Sequence, residues 1–412
     1  MHILFLSDNF PPEGNAPATR TYEHAREWIK MGHRVTIVTC APNFPEGKVF
    51  AGYKNKWFNR EVIDGIEIWR VKTFIAANAG FFKRTLDFIS FMLSSFFFGL
   101  FSKKVDVVIG TSPQFFTVLS AWGLARLKRV PFIFELRDIW PASISAVGVS
   151  HNTKLLRLLE KIELFLYDQA DAIISVTKSF SNELAFRGVH SEKIHIVLNG
   201  VDTQKYKLAV EKEKTLAAKY DLENKFVAGY IGTHGLAHGL DNLLDAASLL
   251  RNDDNLRIVF AGGGADRKRI EQIVDQRKLV NVVMIPAQPK EMMPALWSLC
   301  DVSIVNLKDV ELFQKVIPSK IFEAMGMGIP IIISVPKGEA TDIISTTNSG
   351  IVVPPENPIE LANAIKLMSS TDVILDYKES CLLAAQQYDR RYLARSMIEI
   401  VEQVANDRKT NA

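Results

Sequence analysis

The chain has 412 residues, 48% of them hydrophobic and 23% charged, with a formal net charge of +3. That length suits two domains, each burying its own core. The apolar content excludes a disordered chain, and the near balance of charge argues against a nucleic-acid binder, which would present a strongly basic face.

The opening Met1 to Leu6 lacks the charged leader of a signal peptide, and its apolar run stops at Ser7-Asp8. It reads as a first strand, Ile3–Leu6, of a protein on the cytoplasmic side. A Pro/Gly-rich loop follows to Pro17, then a helix from Thr19 to Met31 and a strand Val35–Thr39. This is a βαβ unit whose loop lies at the carboxyl end of its strand, where open α/β sheets bind ligands. Gly14 and Asn15 are the candidate ligand residues of that loop. Cys40, like Cys300 and Cys381, has no Cys-x-x-Cys or Cys/His spacing around it. The three read as buried small hydrophobes, with neither a disulfide framework nor a zinc site expected. Residues 43–72 read as a loop and a strand, Ile66–Val71.

From Phe81 to Lys104 the chain is dense in phenylalanine and flanked by Lys83-Arg84 and Lys103-Lys104. A helix from Thr85 to Ser102 would be about 27 Å long, short of a ~30 Å hydrocarbon core, and Asp87 lies inside it. Spanning would also put neighbouring strands on opposite sides of the bilayer. Two readings stay open: an interior helix, and a helix lying in an anionic membrane interface. A strand (Val105–Gly110), a helix (Ala121–Leu127) and a strand (Pro131–Leu136) follow, and the last delivers Arg137-Asp138 and Trp140 to a strand end. Asp138 is a candidate to orient a sugar hydroxyl or activate an acceptor; a structural pair with Arg137 is the alternative.

A helix over 152–168, strands Ala172–Val176 and Lys193–Val197, and the turn Asn199-Gly200-Val201-Asp202 complete a first domain, 1–202. A polar linker is expected over 203–224, a second domain over 225–385 and a closing helical segment over 386–412. The second domain restarts with the strand Phe226–Gly232 and continues through further α/β units to Ile351–Val353. Its first loop carries His234, Gly235 and His238. Glycines let backbone amides approach a pyrophosphate, and neutral histidines donate hydrogen bonds. A zinc reading of His234 and His238 lacks a third ligand. The Gly262–Gly264 loop, centred on Gly263, invites a dinucleotide reading but lacks the full Gly-x-Gly-x-x-Gly. Strands alternating with helices in two successive sets imply an α/β protein of two doubly wound domains facing a cleft.

One further stretch organises the second domain. Pro318-Ser319-Lys320 opens a short helix between the strands Asp301–Val305 and Ile331–Ser334. Pro suits a first helical turn and Ser can cap it. Free backbone amides beside Lys320 make an anion site. Glu323, one turn in, suits the vicinal diol of a ribose. The plain alternative is a crossover helix whose Glu faces water. No Asp-x-Asp occurs in the chain. Metal-held diphosphate chemistry, which needs paired carboxylates, is therefore not expected.

The pattern Pro-Ser-Lys-x-x-x-Glu-Ala-Met-x-x-Gly-x-Pro at 318–330 is similar to the donor-site signature of retaining GT-B glycosyltransferases of family 4. More narrowly it resembles the subgroup of WbuB-type O-antigen transferases, which transfer N-acetylated deoxyhexosamines such as FucNAc. The resemblance covers nearly the whole chain, including the Gly32-His33 pair and the Asn-Gly-Val-Asp turn at 199–202. It implies the GT-B fold, with the last helix packed back on the first domain. The implied activity moves a sugar from a UDP-sugar to an undecaprenyl-diphosphate-linked glycan, at the inner face of an anionic membrane surface, without metal or other cofactor and without nucleic acid. It also implies roles. Glu323 meets the ribose, and Ser319, Lys320, His234, Gly235 and His238 surround the diphosphate. Gly263 and Gln288 border the base, while Gly14 and Asn15 lie near phosphates and acceptor. Lys315 stands where the family's first Glu would fall, and with Lys320 and Asp138 it forms the expected catalytic set. Histidines replace the family's Arg and Lys, and Arg137-Asp138 replaces its His-Asp pair. Rival readings are a UDP-sugar 2-epimerase on the same fold and a non-catalytic partner subunit.

Overall fold

The computed structural model of the chain describes residues 1–44, 46–75, 81–139, 153–369 and 371–410. The chain forms two compact units, one of Met1–Leu198 with Arg391–Ala412 and one of Asn199–Arg390.

The first unit runs β1 (His2–Leu6), α1 (Ala16–Lys30), β2 (Arg34–Cys40), β3 (Phe58–Ile63), β4 (Ile66–Val71), α2 (Phe81–Gly99), β5 (Val107–Thr111), α3 (Phe115–Lys128), β6 (Phe132–Leu136), α4 (Thr153–Gln169), β7 (Ala172–Ser175), α5 (Lys178–Phe186) and β8 (Ile194–Ile196). Its sheet has the order β3-β4-β2-β1-β5-β6-β7-β8. β1 is central, with Leu4 paired to Thr36 of β2 on one side and Val108 of β5 on the other, both parallel. Every residue of β1 is buried, as a strand covered on both faces requires. Strand β3 differs from the sequence reading, which placed a loop there. It pairs antiparallel with β4 at the sheet's edge. The turn between them, Asp64-Gly65, takes positive φ at both residues, the geometry of a tight hairpin. Its polar, half-exposed side chains gave no apolar alternation to read.

The second unit contains α6 (Lys214–Lys219), β9 (Phe226–Ile231), α7 (Asp241–Leu249), β10 (Leu256–Gly262), α8 (Arg267–Arg277), β11 (Val282–Pro286), α9 (Met293–Trp297), β12 (Val302–Asn306), α10 (Lys320–Gly326), β13 (Ile331–Ser334), α11 (Glu339–Thr347), β14 (Gly350–Val353), α12 (Pro358–Met368) and α13 (Thr371–Gln387). Its six-stranded sheet has the order β11-β10-β9-β12-β13-β14. The chain moves outward from β9 to β11, then crosses to β12 on the other flank of β9. That reversal opens a crevice at the carboxyl ends of β9 and β12, the ligand position of such sheets.

The last helix, α14 (Arg390–Thr410), belongs to the first unit from Arg391 onward. Trp28 of α1 donates its indole N–H to the Ala394 carbonyl (2.9 Å), and Arg408 pairs with Asp171 (2.9 Å). Residues 199–224 fall in the second unit and include α6. The three cysteines are buried and in no disulfide.

Candidate active site

In the second unit two glycine loops press against each other at the crevice. Gly232 follows β9 with φ of 147°, and Gly262 ends β10 with φ of 144°. A Cβ on Gly262 would collide with the Gly232 carbonyl oxygen, and one on Gly264 with that of His234. Only glycine permits this approach. Backbone bonds fasten the loops, His234 N to Gly263 O (2.8 Å) and Asp266 N to His234 O (3.0 Å).

Lys320, the first residue of α10, enters this corner. Its Nζ is sealed from solvent with no hydrogen-bond partner and sits 3.6 Å from the centre of the Tyr230 ring, a cation–π contact. Burial pushes the Lys320 ammonium down to about 7, against the pull of the Glu323 carboxylate. His234 and His238 flank the same tyrosine, with ring centres 5.9 and 6.0 Å away. Both nitrogens of His234 and the Nδ1 of His238 are buried without partners. Both imidazoles are lowered to about 4, first by burial, then by Arg267 and Lys320 at His234 and by Lys320 at His238. Asn306, at the end of β12, holds the loop by donating to the His238 (2.6 Å) and Gly239 (2.9 Å) carbonyls. Along α10, Glu323 accepts a hydrogen bond at Oε2 from Trp297 Nε1 (3.0 Å). The arrangement is a buried corner lined by three basic side chains whose buried nitrogens lack partners, which suits a group that brings negative charge.

In the first unit Asp138 lies just past β6, with its backbone N–H on the Ser112 hydroxyl (3.3 Å). Arg137 reaches the Pro17 carbonyl (3.2 Å), which joins this strand end to the start of α1. Gly14 is exposed, while Asn15 caps α1 through Ala18 N (2.9 Å) and donates to Asn9 (2.6 Å). Asp8, at the end of β1, is raised to about 8 by burial and then by the Asp87 and Glu13 carboxylates.

Residues 17–205 match the family model described as Glycosyltransferase Family 4, and residues 211–381 that of Glycosyl transferases group 1. The chain is a family 4 glycosyltransferase. It is 27% identical over 336 residues to the putative colanic acid biosynthesis glycosyl transferase WcaI of Escherichia coli, covering 80% of this chain and 82% of the relative. It is 26% identical over 280 residues to the probable glycosyltransferase WbjE of Pseudomonas aeruginosa, covering 66% and 68%. Among solved structures, sucrose-phosphate synthase of Thermosynechococcus elongatus superposes with a TM-score of 0.77 at 14% identity over 98% of both chains. HepE of Anabaena, solved with UDP and glucose, superposes with a TM-score of 0.74 at 16% identity, over 98% of this chain and 100% of that one. The fold is GT-B.

Within this glycosyltransferase the structure corrects one detail of the sequence reading. Ser319 takes the N-cap position of α10 but makes no side-chain capping bond, and Pro318 lies before the helix rather than in its first turn. With only seven residues, α10 has a weak dipole; the charge at its start is that of Lys320. Lys315 ends a 3-10 turn whose Gln314 carbonyl lies against Gly338. The half-buried Gln288 side chain bonds back to the Pro286 carbonyl (3.1 Å). Trp140 lies outside the described residues. His234, His238 and Lys320 come together around Tyr230, Gly263 is joined to them through the His234 N–H, and Asp138, Gly14 and Asn15 belong to the first unit.

Four residues the sequence did not single out stand out in the structure: Tyr230, Trp297 and Asn306 in the second unit, and Asp8 in the first. Tyr230 and Trp297 sit in apolar runs and read there as core. Asn306 and Asp8 each stand just at or beyond the carboxyl end of an apolar strand, which was the available signal.

The aromatic helix α2 turns out to be divided by face. Phe91 is fully buried against the core, with Phe96 and Phe98 packed beside it. Leu86, Leu93, Phe97 and Phe101 are exposed, the last two at 56% and 62%. Leu86, Leu93 and Phe97 are spaced along one stripe of α2, and Phe101 lies in the turn just past its end. Phe58 stacks on Phe98 with ring centres 5.1 Å apart, and the neighbouring Trp57 is 71% exposed. No helix among the described residues is long and apolar enough to cross a membrane.

Proposed function

We propose that this glycosyltransferase moves a sugar, with retention of configuration, from a UDP-sugar to a lipid-linked glycan during synthesis of a bacterial surface polysaccharide. The donor sugar of this reading is an N-acetylated deoxyhexosamine or hexosamine, and the acceptor is carried on undecaprenyl diphosphate. The observation that carries the reading is the buried, unpartnered Nζ of Lys320 beside the two glycine loops at the crevice of the second sheet. A diphosphate is the group such a corner lacks.

Catalysis on this reading is electrostatic. As the bond from the anomeric carbon to the diphosphate breaks, charge gathers on the leaving oxygens, and Lys320 with the loop amides stabilises it more than in the ground state. Lys315 supplies further positive potential, Ser319 and Gly235 border the diphosphate, and Glu323 holds the ribose, its orientation fixed by Trp297. Gly263 and the backbone near Gln288 border the base. In the first unit, which also carries the Gly14–Asn15 loop, Asp138 orients a sugar hydroxyl or helps activate the acceptor. HepE, solved with UDP and with UDP-glucose, supports the uridine donor, and the colanic and teichuronic acid transferases among the relatives support the pathway class.

The exposed stripe of α2, with Lys83, Arg84, Lys103 and Lys104 exposed around it, supports peripheral contact with an anionic bilayer, where a lipid-linked acceptor resides. The test of the whole reading is incubation with a panel of UDP-sugars and a lipid-linked acceptor, read by mass spectrometry and by the anomeric coupling of the product. Acceptor-dependent release of UDP with an α-to-α or β-to-β outcome is expected. Conversion of the UDP-sugar with no acceptor present would instead establish the 2-epimerase.

A further inference from the structure

Lys320 Nζ, both nitrogens of His234 and Nδ1 of His238 surround one tyrosine ring, and none has a hydrogen-bond partner. The anions nearby are already engaged. Glu323, one turn along α10, holds Trp297 (3.0 Å), and Asp266 is held by Arg269 (2.6 Å). A cluster of basic groups enclosed with little countercharge does not hold its protons well, because each charge is desolvated and repels the next. We propose that this corner gains positive charge as the donor binds, with Lys320 and then His238 and His234 taking up protons together with the diphosphate. The proposal rests on the UDP-sugar reading above and adds to it how a buried, solvent-sealed corner receives a leaving diphosphate.

The groups facing each titrating side chain define the balance. Lys320 of α10 faces Tyr230 of β9 and Glu323 of its own helix. His234 faces Arg267 and Asp266 at the start of α8, Lys320, and the ring edge of Phe260 in β10. His238 faces Lys320, His234 and the Asn306 amide of β12, with Lys308 packed on the adjoining Gly239. Burial and these neighbours leave Lys320 at about 7 and both histidines at about 4 in the empty site. At pH 8 roughly nine-tenths of Lys320 is then neutral. A diphosphate within hydrogen-bond reach favours the charged form of each group by roughly 1–3 pH units. The bound state therefore holds more protons than the free one, and affinity falls as pH rises from about 7 to 9.

Isothermal titration of the full-length protein with UDP at pH 8, where the terminal phosphate of UDP is already ionised, tests this directly when repeated in HEPES and Tris. The apparent enthalpy is expected to change with the buffer's ionisation enthalpy by an amount equal to an uptake of roughly 0.4–0.9 proton per UDP, nearly all of it at Lys320. Lys320→Arg, which stays charged when free, is expected to bind UDP at pH 8 with that uptake reduced to a minor fraction. UDP binding with the same enthalpy in both buffers would overturn the proposal while leaving the donor assignment standing. The same is true of Lys320→Arg retaining the full uptake. Absence of UDP binding by the wild-type protein would overturn the donor assignment and this proposal with it. The wild-type measurement needs no variant, so a substitution that fails to fold leaves the test intact.

Discussion

The indole N–H of Trp297 donates to Oε2 of Glu323 across 3.0 Å, from the end of α9 to the first turn of α10. This leaves Oε1 to meet a ligand, with the carboxylate plane already fixed. Glu323→Gln is expected to weaken UDP binding by about 1–3 kcal/mol, the loss of a charge-assisted hydrogen bond. Trp297→Phe keeps the charge and loses only the orientation, so a smaller loss of about 2- to 12-fold is expected. Calorimetry on both variants checks the order. Unchanged affinity in Glu323→Gln would remove the carboxylate from the ribose site.

Gly262 backs onto the Gly232 carbonyl, where an added methyl has no room, and its φ of 144° is one that L residues rarely adopt. Gly262→Ala is expected to destabilise the second unit by at least ~1–3 kcal/mol. It should also weaken UDP binding, because the two loops must part. Gly14→Ala, at an exposed position with open space around it, is the control and should leave the melting temperature unchanged. Thermal melts of both variants with and without UDP make the comparison.

Lys315 is placed by the reading above to act as the diphosphate departs. Lys315→Ala is then expected to lower kcat more than it raises KM, because its charge matters most in the transition state. Steady-state kinetics decide it: a variant as fast as wild type would return Lys315 to the solvated surface.

The absence of any Asp-x-Asp in the sequence leads us to expect full transferase activity in EDTA. Activity that collapses with the chelator and returns with Mg²⁺ or Mn²⁺ would mean that a cation, rather than Lys320, carries the diphosphate.

The stripe of Phe97 and Phe101 with the adjoining Lys103 predicts flotation with liposomes containing anionic lipid and weak flotation with neutral ones. Phe97→Ser combined with Lys103→Glu should abolish most of that difference. Both side chains are exposed, so the fold is expected to survive, which circular dichroism can establish. Flotation unchanged in the double variant would make α2 a purely structural helix.

Much of this was legible in the chain itself. The unbroken apolar runs of β1, β5 and β9 announced parallel strands buried on both faces, because such strands meet no water on either side. The connections after β9, β10 and β12 were marked by Gly232, Gly262 and Pro318, and the Pro-Ser-Lys…Glu stretch carried the family. What the sequence did not contain was distance. Tyr230 and Lys320 meet because β9 lies beside β12, and strand order is set by how helices cover the sheet, which local pattern does not encode. The partnership of Trp297 with Glu323, the division of α2 into a buried and an exposed face, and the hairpin that makes β3 an edge all depend on packing between segments remote in sequence. Protonation at Lys320 is decided there too. A lysine's charge depends on the water it loses and the anions it gains, and both are properties of the space around it rather than of its neighbours in the chain.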